Sequence, residues 1–204
     1  TEKTAYVINQ VCGSGLRSVA AGYQAVISGD SKIVIAGGQE SMTNAPHVIN
    51  FRKGTKLEES NLVDTMIKDG LWDAFNGYHM GVTAENVASK WQISRKDQDN
   101  FALSSQQKAE KAQKEGKFKN EIVPIILKSE NGDINFDADE HTRFGMTLEK
   151  LERLQPSFKK NGTVTPGNAS GINDGAAAVV LMDQTEAEKK NLEPIAKIVS
   201  WATS

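Results

Sequence analysis

The most constraining stretch of this chain is its N-terminal part. There an apolar run, a glycine-flanked cysteine, an amphipathic segment and a second apolar run follow one another without interruption. Residues 6–9 (Tyr-Val-Ile-Asn) read as a short buried strand leading into Gln10-Val11-Cys12-Gly13-Ser14-Gly15. Leu16, Val19, Ala20, Tyr23, Val26 and Ile27 then recur at helical period and define one apolar face. Gly29 closes that helix in the manner of a left-handed C-terminal cap. Ile33-Val34-Ile35-Ala36 follows as a β-branched run ending at Gly37-Gly38. Strand, glycine turn, helix and strand in that order predict a βαβ unit with a buried, parallel sheet.

From Met42 to Gly171 the texture changes to a more polar, lysine-rich and less regular sequence. Ser94 with Asp97 three residues on predicts a capping box, opening a helix that runs through Phe101, Ala102 and Ala109 to Gly116. Lys108, Lys111, Lys114 and Lys117 along it read as a solvated helix face rather than a ligand site. Residues 121–128 predict a strand, which Pro124 assigns to a sheet edge. Residues 175–182 resume the buried-strand texture, Thr185 with Glu188 predicts a second capping box, and residues 195–200 predict one more strand. The organisation is an α/β core interrupted by a long polar insertion.

Composition excludes several classes. Across 204 residues, 24 Lys plus Arg stand against 26 Asp plus Glu, a net charge of −2, so no basic excess is available to neutralise nucleic-acid phosphates. The longest apolar runs, such as residues 176–182, fall far short of the roughly 20 residues needed to span a bilayer, and no secretory leader pattern opens the chain. A single cysteine, Cys12, rules out an intramolecular disulfide and a cysteine-based metal cluster, in keeping with a reducing compartment.

That one thiol carries two readings. At a strand-to-helix turn between glycines, it meets the positive end of the helix dipole, which favours thiolate, while nearby amides can hold a developing oxyanion. Alternatively it is a small buried hydrophobe, the commoner fate of a free cysteine. The nucleophilic reading needs a partner base, which sequence alone does not place. His47, His79 and His141 show no metal-type spacing, and His79 differs from the others in lying between glycines before a helix. The small-residue stretch Gly167-Asn168-Ala169-Ser170-Gly171 is either a plain turn cluster or a surface against which a long, thin ligand lies. It does not match a P-loop, and Gly13-x-Gly15 lacks the remaining glycine of a dinucleotide fingerprint.

Four motifs in order carry a family resemblance. They are residues 9–15 (Asn-Gln-Val-Cys-Gly-Ser-Gly), residues 36–42 (Ala-Gly-Gly-Gln-Glu-Ser-Met), residues 79–86 (His-Met-Gly-Val-Thr-Ala-Glu-Asn) and residues 167–175 (Gly-Asn-Ala-Ser-Gly-Ile-Asn-Asp-Gly). Together they resemble the thiolases, and the third resembles the acetyl-CoA acetyltransferase branch of that family. The resemblance implies a layered αβα core with an inserted α+β loop domain. On it, residues 1–41 belong to the N-terminal core domain, 42–171 to the loop domain, 172–192 return to the core, and 193–204 begin a C-terminal core domain.

The resemblance also implies roles. Cys12 falls at the cysteine that takes up the acyl group, with its backbone N–H as one arm of an oxyanion hole. Leu71, His79, Met80, Arg143, Phe158, Ala169 and Ser170 match positions lining the tunnel for coenzyme A and the acyl group. Arg143 and Phe158 lie towards the nucleotide, His79 and Ser170 meet the pantetheine arm, and Met80 lies near the acyl group. Lys150 departs from relatives that carry a serine near the adenine. The implied reaction condenses two acetyl-CoA to acetoacetyl-CoA and CoA, reversibly, with no metal and no resident cofactor. The implied setting is a homotetramer in the cytoplasm, or in the mitochondrial matrix of a eukaryote. Only about half of a family member is covered, and the family's catalytic histidine and second cysteine belong to the other half. A longer-chain 3-ketoacyl-CoA thiolase, a non-catalytic acyl-CoA binder and a cysteine hydrolase are the alternative readings.

Overall fold

The computed structural model describes residues 3–51, 54 and 61–203. They form two compact units, one of residues 1–70 with 172–204 and the other of residues 71–171. Residues 42–70 therefore cluster with the first unit, where the sequence reading begins the insertion at 42.

The first unit is organised by helix α1 (Ser14–Ile27) lying against strands β1 (Ile33–Ser41) and β8 (Asp174–Met182). The two strands pair antiparallel over their whole length, from Ile33 opposite Met182 to Ser41 opposite Asp174. This overturns the parallel sheet expected from the strand–helix–strand order. Residues 6–9 form no strand, and Tyr6 and Val7 are 74% and 95% exposed. The partner of β1 is instead the apolar run 174–182, more than 130 residues away in sequence.

Two-residue alternation decides which side chains meet the helix. A Cβ on Gly22 would touch Leu181, Val34 and Ala36, so these residues form the face that receives α1. Ile35 and Val180, one step along each strand, point the other way and are exposed. The runs read as buried on both faces are thus covered on one. Gly37 is required by the close approach of β8, since a Cβ there would collide with the carbonyl of Ala177. At the far end Asp174 accepts from the backbone N–H of Thr43 at 3.0 Å and from its hydroxyl, turning the chain out of β1. Those bonds from Thr43 hold the Asp174 carboxyl below its ordinary pKa. A short hairpin of β2 (His47–Val48) and β3 (Val63–Asp64) belongs to this unit. So does α5 (Gln184–Lys189), capped by Asp183 rather than by the expected Thr185 box, because Asp183 accepts from the Thr185 N–H at 2.8 Å. Residues 195–200 form no strand, and Ile195 is fully exposed.

The second unit begins with the two-residue strands β4 (Trp72–Asp73) and β5 (Tyr78–His79), which lead into α2 (Met80–Lys90). Helix α3 (Arg95–Lys114) opens on the expected capping box, Ser94 and Asp97 bonding reciprocally, and ends before Gly116 at φ +66°. The expected strand at 121–128 shortens to β6 (Ile125–Leu127), starting just past Pro124, and pairs with β7 (Ile134–Phe136). Helix α4 (Leu148–Glu152) packs on α3, and its Leu151 is fully buried together with Thr165 and Asp99. Truncating a buried leucine of that kind typically costs about 3–5 kcal/mol.

Candidate active site

In the first unit the chain reaches α1 through a short 3-10 turn, Val11–Gly13. Val11 has φ +47°, a left-handed conformation that a β-branched residue adopts only when its surroundings impose it. Side chains impose it here. Asn9 Oδ1 accepts the Val11 N–H at 2.9 Å, and the Ser14 hydroxyl donates to the Val11 carbonyl at 2.7 Å while accepting the Gln10 N–H at 2.8 Å. Both backbone polar groups of Val11 are thereby occupied, and the chain is bent sharply one residue before Cys12. Cys12 itself is exposed. The buried-hydrophobe reading of Cys12 is therefore overturned.

The turn rests on β1. Gly38 has no side chain, and a Cβ there would lie 3.4 Å from the Cα of Gly15. The Ser18 hydroxyl spans the same contact, donating to the Gly37 carbonyl at 2.8 Å. No side chain caps the N-terminus of α1, and its first turn holds no acidic residue. The preceding 3-10 turn instead takes up the Gly13 and Ser14 N–H groups on the Gln10 and Val11 carbonyls, and what the turn offers a carbonyl substrate is the exposed thiol.

The other expected site residues belong to the second unit. His79 is the N-cap of α2, and its Nδ1 accepts the Gly81 N–H at 2.9 Å. A ring nitrogen that accepts carries no proton, so the neutral imidazole bears its hydrogen on Nε2 and offers that as a donor. The Phe158 ring stacks on His79 with centroids 4.8 Å apart and planes 20° apart. Gly81 makes room for it, because a Cβ there would fall within 3.0 Å of three Phe158 ring atoms. Met80 is exposed at the same helix start, and Leu71 closes a π-helical turn, Met66–Leu71. Arg143 is exposed, its backbone N–H donating to Gln106 Oε1 at 2.8 Å. Lys150, the departure from the family pattern, directs its ammonium to the Gly145 carbonyl at 2.8 Å.

Ala169 and Ser170 are exposed and follow a segment held by two buried carboxylates that the sequence reading did not assign. Glu85 of α2 accepts the N–H groups of Thr163 and Val164, each at 2.8 Å, and the Thr163 hydroxyl at 3.0 Å. Burial pushes the Glu85 carboxyl up, but the bonds from Val164 and Thr163 outweigh it and bring its pKa below the ordinary value. Asp99 of α3 accepts Arg95 Nε at 2.7 Å and Asn168 Nδ2 at 2.9 Å. The position of Glu85 is a signal available without coordinates, since it shares the buried face of α2 with Gly81 and Ala88 at helical spacing. Among the described residues no group of three His, Cys, Asp or Glu is placed to hold a metal, and no helix is long and apolar enough to cross a membrane.

Comparison with known proteins gives the family. Residues 1–185 match the thiolase N-terminal domain, and the chain belongs to the thiolase family. It is 58% identical over 203 residues to an acetyl-CoA acetyltransferase of Rhizobium meliloti (strain 1021), covering 100% of this chain and 52% of that protein. It is 60% identical over 203 residues to the Paracoccus denitrificans protein of the same name, again with 100% and 52% coverage. Among solved structures, the acetyl-CoA acetyltransferase from Syntrophomonas wolfei superposes with a TM-score of 0.86 at 42% identity, over 93% of this chain and 48% of that one. Human mitochondrial 3-ketoacyl-CoA thiolase gives 0.81 at 43% identity, over 92% and 48%. The chain thus has the thiolase fold and spans about half the length of the relatives it matches.

Proposed function

We propose that this chain carries the acyl-accepting half of an acetyl-CoA acetyltransferase, with Cys12 as the nucleophile. The Cys12 thiolate attacks the carbonyl carbon of acetyl-CoA. The bond from that carbon to the coenzyme A sulfur breaks, and coenzyme A leaves and takes up a proton, giving S-acetyl-Cys12. A second acetyl-CoA loses a methyl proton to a base. The carbanion attacks the thioester carbon, a carbon–carbon bond forms, and Cys12 departs as thiolate with acetoacetyl-CoA as product. Dividing the condensation into two acyl transfers is the gain from covalent catalysis. The base is a second cysteine in this reading, and since the chain has one cysteine it comes from outside these 204 residues.

The observation that carries the reading is the exposed thiol held on a strained turn at an uncapped helix start, in a chain of this family. His79 and Ser170 then receive the pantetheine arm, Arg143 and Phe158 the nucleotide end, and Met80 the acyl end, with Leu71 and Ala169 also lining the tunnel. Coenzyme A thioesters are substrates, and no resident cofactor enters the scheme. A homotetramer is the assembly we assign, in the cytoplasm, the compartment named for the Mus musculus relative "Acetyl-CoA acetyltransferase, cytosolic". The likeness to a 3-ketoacyl-CoA thiolase supports a second reading with longer acyl chains and the same chemistry.

Incubating the full-length gene product with acetyl-CoA and mapping peptides by mass spectrometry tests the nucleophile. An acetyl group on Cys12, lost in Cys12→Ser together with turnover, is the expected result. Acetylation elsewhere, or wild-type turnover in the serine variant, overturns it. Comparing cleavage of acetoacetyl-CoA with that of 3-ketooctanoyl-CoA separates the two chain-length readings.

A further inference from the structure

Asp99 is fully buried, yet it lies on a helix remote in sequence from every residue given a role above. Its two oxygens serve two different elements. Oδ2 takes Arg95 Nε, and Arg95 in turn donates to the carbonyls of Leu151 and Leu154 at 2.7 and 3.0 Å, so the guanidinium is spent on the end of α4. Oδ1 takes Asn168 Nδ2. The amide of Asn168 is then fixed on every side, because Nδ2 also donates to the Thr163 carbonyl at 3.0 Å and Oδ1 accepts the Thr165 N–H at 2.8 Å. Flipping it would set oxygen against carboxylate and N–H against N–H, so Asp99 joins the Thr163 and Thr165 backbone in setting which way it faces.

The next two residues are Ala169 and Ser170. Among the described residues none donates a hydrogen bond to either of them or accepts one from them. Asn168 is the last hydrogen-bonded point before they reach the surface. Glu85 fixes the same segment upstream, through Thr163 and Val164. A buried ion pair is weak support for stability, since apolar residues of the same volume often serve as well. What it supplies here is direction.

We infer that Asp99 and Asn168 are positioning residues that set the Ala169–Ser170 edge of the coenzyme A site, so that a buried carboxylate on α3 controls affinity for the pantetheine arm. The inference rests on the assignment of Ser170 to that arm. Asp99→Asn keeps the shape but turns a donor towards either Arg95 or Asn168. Asn168→Asp opposes two carboxylates. The double swap restores a donor from residue 99 to an acceptor at 168 and leaves Arg95 an acceptor, but like Asn168→Asp it sets a carboxylate oxygen against the Thr163 carbonyl.

The experiment measures coenzyme A binding by calorimetry, alongside thermal melting, in the full-length gene product. Asp99→Asn should weaken coenzyme A binding by about tenfold at temperatures where the protein is folded, roughly one charge-assisted hydrogen bond. The double swap should bind coenzyme A more tightly than Asn168→Asp, which shares the Thr163 clash but lacks the donor from residue 99. Should the single variants fail to fold, Asn168→Gln, which keeps the amide and adds one methylene, should weaken binding while the melt stays cooperative. Wild-type affinity in folded Asp99→Asn or Asn168→Gln overturns the inference, as does a double swap no tighter than Asn168→Asp. If wild type acetylates Cys12 but these variants bind normally, only this inference falls. If wild type binds no coenzyme A, the functional reading falls with it.

Discussion

Replacing Gly81 by alanine sets two opposing effects against each other. Alanine is favoured over glycine in a helix by about 0.8–1 kcal/mol, so an unobstructed Gly81→Ala would stabilise α2. Here it is obstructed. The new Cβ lies within 3.0 Å of three atoms of the Phe158 ring, closer than real Cβ contacts come, and Gly81 is itself buried. Either Phe158 or the first turn of α2 must move. Overpacking of that kind costs about 1–3 kcal/mol, and the displaced ring also forfeits its stack on His79, about 0.5–1.5 kcal/mol. The cost exceeds the propensity gain, for a net loss of about 0.5–3.5 kcal/mol. Because Phe158 and His79 both belong to the proposed coenzyme A surface, affinity should fall along with stability. Urea unfolding of the full-length gene product gives the first quantity and calorimetric titration with coenzyme A the second. A variant that unfolds at higher urea than wild type and binds coenzyme A unchanged would refute both the packing and its link to the site.

Arg143→Ala should raise KM for acetyl-CoA with little change in kcat, a loss of about 0.5–2 kcal/mol for a solvent-weakened contact that binds ground and transition states alike. A large fall in kcat at unchanged KM would place Arg143 elsewhere. Glu85 has a lowered folded pKa, so its stabilisation is fully present above the unfolded value near 4.5 and is lost as pH falls through the folded one. The stability gap between wild type and Glu85→Gln, about 1.5–3 kcal/mol at neutral pH, should therefore close on acidification, and a gap that widens below pH 4 would contradict the assignment. The 204-residue chain expressed alone should give no steady turnover of acetoacetyl-CoA, since it carries one thiol; sustained cleavage in that assay would displace our account of the base.

Local chemistry was legible wherever neighbours in sequence settle it. The α3 capping box, the helix stops at Gly29 and Gly116 and the helix after Cys12 each depend on a few adjacent residues, and each is found. Strand pairing was not legible, because the partner of β1 lies beyond the insertion and a buried-looking run does not name the strand it joins. Residues 6–9 show the same limit: an apolar run becomes a strand only where another strand offers it hydrogen bonds. Among the site residues, Cys12 and His79 stood out through their flanking glycines. Asp99 did not, since an aspartate four residues from an arginine reads as an ordinary surface pair until burial shows it at the centre of a network.

The caps of the helices connect this local chemistry to the proposed mechanism. Helix α2 is capped by His79, α3 by Ser94, α4 by Thr147 and α5 by Asp183, each side chain accepting a first-turn N–H. A cap of this kind contributes about 1 kcal/mol, and its absence costs a helix that much. Helix α1 goes without one. The oxygens that could have served it are turned to the preceding residues instead: Asn9 holds the Val11 N–H, and Ser14 holds the Gln10 N–H and the Val11 carbonyl. In place of a side-chain cap, the 3-10 turn takes up the Gly13 and Ser14 N–H groups on the Gln10 and Val11 carbonyls. What is given up is the relaxed backbone of Val11, one residue before Cys12. A purely structural cysteine needs no such strain. A nucleophile gains from it, because a relaxed turn would not hold the exposed thiol at the start of the helix.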